Sequence, residues 1–233
     1  MPSINDILAF VGSVFAILIV LPMHEFAHAF AAVKCGDETP RVYGRYTLNP
    51  FKHFDLFGLI SLLIVHFGWA KPVPINPVNF KHYRRDYFWV SVAGVLANLI
   101  GSFLFYPLSK LMFLAAGAVY EIVFLYYLFR LIAYIFRACF LMGLFYFVFN
   151  LIPVYPLDGF RVLEVALKPN NKFLGFLRQY GRYILFILIF WGFVVDAAGF
   201  PQLDFLGMFI NWAAGWLAFP IQWFWGLIFD GGI

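Results

Sequence analysis

Residues 7–33 form an apolar run whose only charged side chain, Glu25, lies between two histidines in His24-Glu25-Phe26-Ala27-His28. Such a run is long enough to cross a hydrocarbon core of about 30 Å as a helix, and a helix satisfies its own backbone there. Once helical, the segment carries His24 and His28 one turn apart on one side, so both imidazoles can reach one metal ion. Glu25 stands about 100° round the helix, close enough to take a proton from water without being a ligand. In a soluble chain this five-residue pattern would carry little weight alone. Within a membrane span, two histidines and a carboxylate are costly unless they have a function.

The rest of the chain agrees with a membrane setting. Of its 233 residues 64% are hydrophobic and only 12% charged, with 32 Phe and a mean hydropathy of +0.85; an ordinary soluble domain is about 25% charged. The reading is one integral-membrane domain over residues 1–233, with a catalytic core over about 4–168 and C-terminal helices over about 174–229. A net charge of +4 spread through short loops is no nucleic-acid signature. Cys35 and Cys139 match no metal spacing and form no disulfide framework. The first apolar stretch is too long for a cleavable signal and lacks a basic start.

The expected fold is an all-α polytopic membrane protein of about five transmembrane helices, at 4–33, 88–108, 131–149, 183–198 and 206–229. Residues 56–68 are apolar but too short to span, and Pro72, Pro74 and Pro77 forbid helix just after them. A membrane-associated β-hairpin or re-entrant segment is expected there, packed on protein. Pro22 is read equally as a local opening of the first helix and as an ordinary membrane-helix proline. Trp212, Trp216, Trp223 and Trp225 suit interfacial belts or lipid contact.

Basic residues concentrate in the loops 34–56, 71–85 and 168–182. By the positive-inside rule these are cytoplasmic and the N-terminus is outside. At 1.5 Å per residue His24 lies about 25 Å beyond Ile7, so the histidines share the cytoplasmic face with residues 150–158. A hydrolytic zinc site takes three protein ligands and one open position. Asp158, in Asn150-Leu151-Ile152-Pro153-Val154-Tyr155-Pro156-Leu157-Asp158-Gly159, is the best third ligand: a carboxylate on broken backbone, followed by a glycine that permits close approach. The competing role is an N-cap for a helix starting near Gly159. Glu164 is a weaker third-ligand candidate.

These motifs resemble the site-2 proteases, intramembrane zinc metalloproteases, over most of residues 7–165. HEFAH and NLIPVYPLDG carry the likeness, with GRYTLNP at 44–50, GWAKPVPINP at 68–77 and AGVLAN at 93–98. The compact branch without a PDZ domain is the most similar; Val95 stands where relatives often have proline. The resemblance implies one Zn2+ per chain held by His24, His28 and Asp158, with Glu25 as general base. It implies Asn150 and Pro153 in positioning substrate, and Gly94 with Asn98 in packing the second span against the first. Gly94 and Asn98 are four apart and face one direction, which independently suits close helix approach, although Asn98 could equally serve as a simple interhelical hydrogen bond. Expected partners are the lipid bilayer and single-span membrane proteins or leftover signal peptides as substrates; no nucleic acid is expected, and the oligomeric state is left open.

Other polar residues invite weaker readings. His53 and Asp55 could suggest a second metal, while His66 and His82 read as interfacial. Arg130 and Arg137 could snorkel, pair with Glu121 or line a cavity. A non-enzymatic reading, a transporter or an inactive relative with a structural metal, makes Glu25 dispensable.

Overall fold

The computed structural model describes residues 2–55, 58, 70–168 and 170–229. Its first helix, α1 (Ile4–Lys34), starts at a reciprocal cap: Asp6 N–H donates to Ser3 Oγ at 3.2 Å and Ser3 N–H to Asp6 Oδ2 at 2.8 Å. It runs unbroken through a buried Pro22. The one-turn helix α2 (Thr39–Val42) follows. Then come α3 (Tyr83–Ala118), α4 (Val123–Leu151), the short α5 (Asp158–Ala166), α6 (Lys172–Ala197) and α7 (Phe205–Phe229). Among the described residues four helices, α1, α3, α4 and α6, are long and apolar enough to cross a membrane.

Helices α1, α3 and α4 make the core, and small residues set their spacing. A Cβ on Gly12 would lie 2.9 Å from the Tyr134 carbonyl carbon, so α1 and α4 meet backbone to backbone. Ser102 and Ser109 on α3 donate to the carbonyls of Phe140 and Ala133 on α4, both at 3.0 Å. Lipid offers helices no hydrophobic incentive to associate, so close van der Waals approach and such hydrogen bonds carry the packing. The pairings make α3 antiparallel to α4, while Gly12 beside Tyr134 and His24 beside Tyr146 make α1 parallel to it.

Of the five or so expected spans, four meet the length and apolarity of a crossing helix among the described residues, and packing sets the direction of the last helix. α7 has no charged residue, but its tryptophans, Asn211 and Gln222 keep it outside the set of four. Ile210 packs in one cluster with Val148 and Leu157, at the histidine-bearing end of the bundle. Further along, Phe224 and Trp225 stack on Phe103 at 5.4 and 5.3 Å, and Trp225 Nε1 donates to the Phe103 carbonyl at 2.9 Å. α7 therefore runs antiparallel to α4, whereas five alternating spans would make it parallel. Residues 198–204 contain no Lys or Arg that could hold that turn to one side. Burial of Ile210 and Leu185 on the Val148 and Leu157 surface decides the matter. Trp225, expected from sequence at an interface or in lipid contact, packs against α3.

The expected hairpin falls largely on 56, 57 and 59–69, outside the described residues. Among those described there is no strand, only an isolated antiparallel bridge between Phe54 and Ala70. Residues 71–76 are non-helical, as their prolines require. A carboxylate that sequence reading passed over ties this segment down. Asp37 accepts from Thr39 N–H at 3.1 Å, Thr39 Oγ1 at 2.5 Å, Asn76 N–H at 2.7 Å and Asn79 Nδ2 at 2.8 Å. Arg130 resolves into an aromatic clamp: its guanidinium lies 5.3 and 5.8 Å from the rings of Tyr126 and Tyr134 and donates to the Tyr126 hydroxyl at 2.5 Å.

Burial works against the charge on Asp37, but its four donors outweigh that and lower its pKa. A depressed folded-state value stabilises the fold fully above the unfolded value of about 3.9 and is lost as pH falls through the folded one. Asp37→Ala removes the acceptor shared by these four donors and is expected to cost about 1–3 kcal/mol. Thermal unfolding in detergent should show that gap at pH 7 and its narrowing below about pH 4.

Candidate metal centre

His24 and His28 stand one turn apart on α1 and are 6% and 3% exposed, so neither imidazole is a surface group. Asp158 reaches them from 130 residues away along the chain. Its Oδ2 lies 3.2 Å from His24 Nε2 and 2.9 Å from His28 Nε2, and the two nitrogens are 3.1 Å apart. Three donor atoms thus form a nearly equilateral triangle. Ligands of a tetrahedral zinc sit about 3.3 Å from one another, so this triangle fits one such ion after a small expansion. Among the described residues no other group of His, Cys, Asp and Glu could hold a metal ion in this way.

The surroundings fix which nitrogens are free. His28 Nδ1–H donates to the Val90 carbonyl on α3 at 2.7 Å, which leaves Nε2 with its lone pair toward the triangle. The amide of Asn98, wholly buried on the same helix, lies 3.0 Å from His24 Nδ1, and its far end has no partner. With the amide oxygen turned to that nitrogen, it accepts Nδ1–H and frees His24 Nε2 in the same sense. Gly94 lies between these two contacts. A Cβ there would collide with His28 Nε2 and come within 2.7 Å of His24 Cε1. The absence of a side chain is what gives an ion room.

Asp158 is the first residue of α5, and its side chain caps nothing; Leu157 occupies the cap position. The capping alternative is therefore set aside by geometry. Gly159 is needed beside it, since a Cβ there would strike the Leu151 carbonyl. Asp158 Oδ2 sits against both imidazole Nε2 atoms, placed as a third ligand should be. Its other oxygen faces Arg161 at 3.4 Å. Glu164, the rival carboxylate, is engaged elsewhere, by Arg178 at 2.5 Å and the Tyr87 hydroxyl at 3.0 Å. His53 is buried on the Thr47 carbonyl at 2.8 Å and Asp55 accepts from Gly58 N–H, so neither joins a metal group.

Glu25 borders a cavity of about 90 Å³ shared with the triangle. Its Oε2 accepts the Val73 N–H at 3.0 Å, which brings the proline-rich segment across the mouth of the site. Asn150 lines the same cavity, with its Nδ2 on the Tyr146 carbonyl at 3.1 Å. Pro153 is exposed and outside it; Pro156 takes the wall position instead. Arg161 also lines it and was not singled out from sequence, although its place one turn after Asp158 on a short helix was visible. The Val90 and Val73 backbone groups gave no sequence signal at all.

Comparison with known proteins agrees with this chemistry. The chain is 38% identical over 177 residues to a Bacillus subtilis protein named as a zinc metalloprotease, YwhC, covering 76% of this chain and 78% of that one. It is 32% identical over 180 residues to the protein named as the zinc metalloprotease Rip2 of Mycolicibacterium smegmatis, covering 74% and 64%. The Rip2 of Mycobacterium tuberculosis H37Rv gives 32% identity, covering 73% and 63%. No family model matches the chain, and no solved structure does either.

Gly94→Ala and Asn98→Ala alter the cradle while all three ligand residues stay in the chain. The first is expected to abolish zinc retention, and the second to weaken affinity by about 10–100-fold. Elemental analysis of purified protein and competition with a chromogenic chelator measure both.

Proposed function

Because this chain belongs to the site-2 protease family of zinc metalloproteases, we propose that it hydrolyses peptide bonds within or next to the transmembrane segments of membrane-anchored proteins. The single observation that carries the reading is the His24–His28–Asp158 triangle with Glu25 beside it, at one end of a bundle of membrane-length helices. Zn2+ is the cofactor, and His24, His28 and Asp158 would hold it. When bound, it supplies a Lewis acid that acidifies water and polarises a carbonyl.

The protein's own groups do the rest. Glu25 has one carboxylate oxygen tied to Val73 N–H and the other available to a water in the cavity. It accepts that water's proton as the new C–O bond forms. It then returns the proton to the departing amine nitrogen as the C–N bond breaks. The Val73 hydrogen bond holds the carboxylate in one orientation, so the base is in place before substrate arrives. Asn150 on the cavity wall binds the substrate backbone. Pro153 acts at one remove, by shaping the turn that carries Pro156 and Asp158 into place. A helical substrate must unwind before its carbonyls are reachable, because they are internally bonded.

Charge in the loops at 34–56, 71–85 and 168–182 favours a site near the cytoplasmic face and an outside N-terminus. Substrates are then single-span proteins or signal peptides whose cleavage region lies in that half of the membrane. Glu25→Gln is expected to keep its zinc and to lose at least about 10²-fold in cleavage of single-span test substrates. A variant that still cuts, or a wild type that holds zinc and cuts nothing across a broad panel, supports a structural metal instead.

A further inference from the structure

A second cavity, larger than the one at the metal triangle, lies elsewhere in the bundle. It is a groove of about 830 Å³ between α1, α4 and α7, within the span of the bundle. Each helix contributes one stripe at helical spacing, and small residues form much of its floor: Ala9 and Ser13 on α1, Ala138 on α4, Ala214, Gly215 and Ala218 on α7. Stripes of this kind let another helix approach closely in lipid. At its other end the groove reaches Tyr146, whose ring is 6.5 Å from that of His24. A helix laid in it points one end at the metal triangle.

One residue gives the groove a chemical preference. Arg137 lines it from the midpoint of α4, fourteen residues from Val123 and fourteen from Leu151. At 1.5 Å per residue that is about 21 Å from either end, near the middle of any bilayer the helix crosses. Arg137 is exposed and has no hydrogen bond, ion pair or ring contact among the described residues. Arg130, two turns away, is held by two tyrosines, so this fold does supply partners to an arginine where it needs to. The carboxylate of Asp6, also on the groove, is committed to the Ser3 cap at 2.8 Å. An unpaired guanidinium at mid-membrane is costly, and a bidentate carboxylate is the partner that best suits it. Lipid phosphates lie at the interface, about 15 Å from the midplane, so a headgroup is the wrong occupant for this depth.

We infer that the groove between α1, α4 and α7 docks the transmembrane helix of a substrate, and that Arg137 selects spans carrying an acidic side chain near their middle. This rests on the proposed proteolytic function and specifies its substrate class. Arg137 and Tyr146 are nine residues apart on α4, about 13 Å. The acidic residue therefore lies about nine residues from the cleaved bond in a helix, and about four if the intervening stretch is extended.

The test uses binding, so that it stands apart from catalysis. Three synthetic Leu–Ala single-span peptides, identical except for Glu, Gln or Lys at the central position, are titrated onto the Glu25→Gln protein in nanodiscs. The Glu peptide is expected to bind at least about tenfold more tightly than the Gln peptide, or ~1.4 kcal/mol. Adding Arg137→Gln should abolish that preference, and adding Arg137→Glu should transfer it to the Lys peptide. Equal binding of all three, or a Glu preference that survives Arg137→Gln, overturns the inference. Cleavage of the same peptides by the wild type is read separately. Charge-selective binding without cleavage would remove the proteolytic reading and leave the docking site standing.

Discussion

A polar group buried away from water must find a partner inside the protein, and in a membrane-spanning bundle that requirement governs almost every contact. It explains why the chain is helical, because only helices close their own backbone in lipid. It also explains why the few buried polar side chains occur in sets. The His24, His28 and Asp158 donors face one another. The remaining nitrogen of His28 is spent on the Val90 carbonyl, and that of His24 on Asn98. The same rule reappears at Ser102, Ser109 and Asp37, each satisfied by a neighbour on another turn or segment, and in the two tyrosines around Arg130.

Satisfying those groups demands that helices come closer than ordinary side chains allow. Gly12 lets α1 touch the α4 backbone, and Gly94 lets α3 pass over both imidazoles. Gly159 lets α5 start directly beneath the end of α4. Packing and chemistry are thus one problem here. A methyl group at Gly94 would fill the space an ion needs, while that same closeness brings Val90 and Asn98 to the back of the histidines. Arg137 stands apart, since it faces a groove large enough to admit something else and has no partner within the described residues.

Much of the metal centre was legible because its signals are local. The spacing of His24 and His28 specifies a shared face once the segment is helical, and the apolar run makes helix the only choice. Asp158 could be named because a carboxylate beside glycine on proline-broken backbone stood on the same face by charge counting. What escaped has a common cause. The Val90 carbonyl and the Val73 N–H are backbone groups present at every residue, so no side-chain pattern marks them. Asp37 looked like an ordinary loop acid, and its four donors come from positions up to 42 residues away. The direction of α7 escaped as well. Hydropathy detects a helix but not its neighbours, and the loop before it has no basic residues to orient it.

By itself the sequence determined that this is a helical membrane protein with a metal-binding pattern on its first helix, since both follow from residue type and short-range spacing. Only the tertiary structure decided that Asp158 faces the histidines and does not cap α5, that Gly94 leaves the room for an ion, and that α7 turns back along α4 to wall a groove. Those outcomes depend on which surfaces meet across long stretches of chain. Such meetings are set by the summed packing and hydrogen bonding of the whole bundle, a quantity no local window of sequence contains.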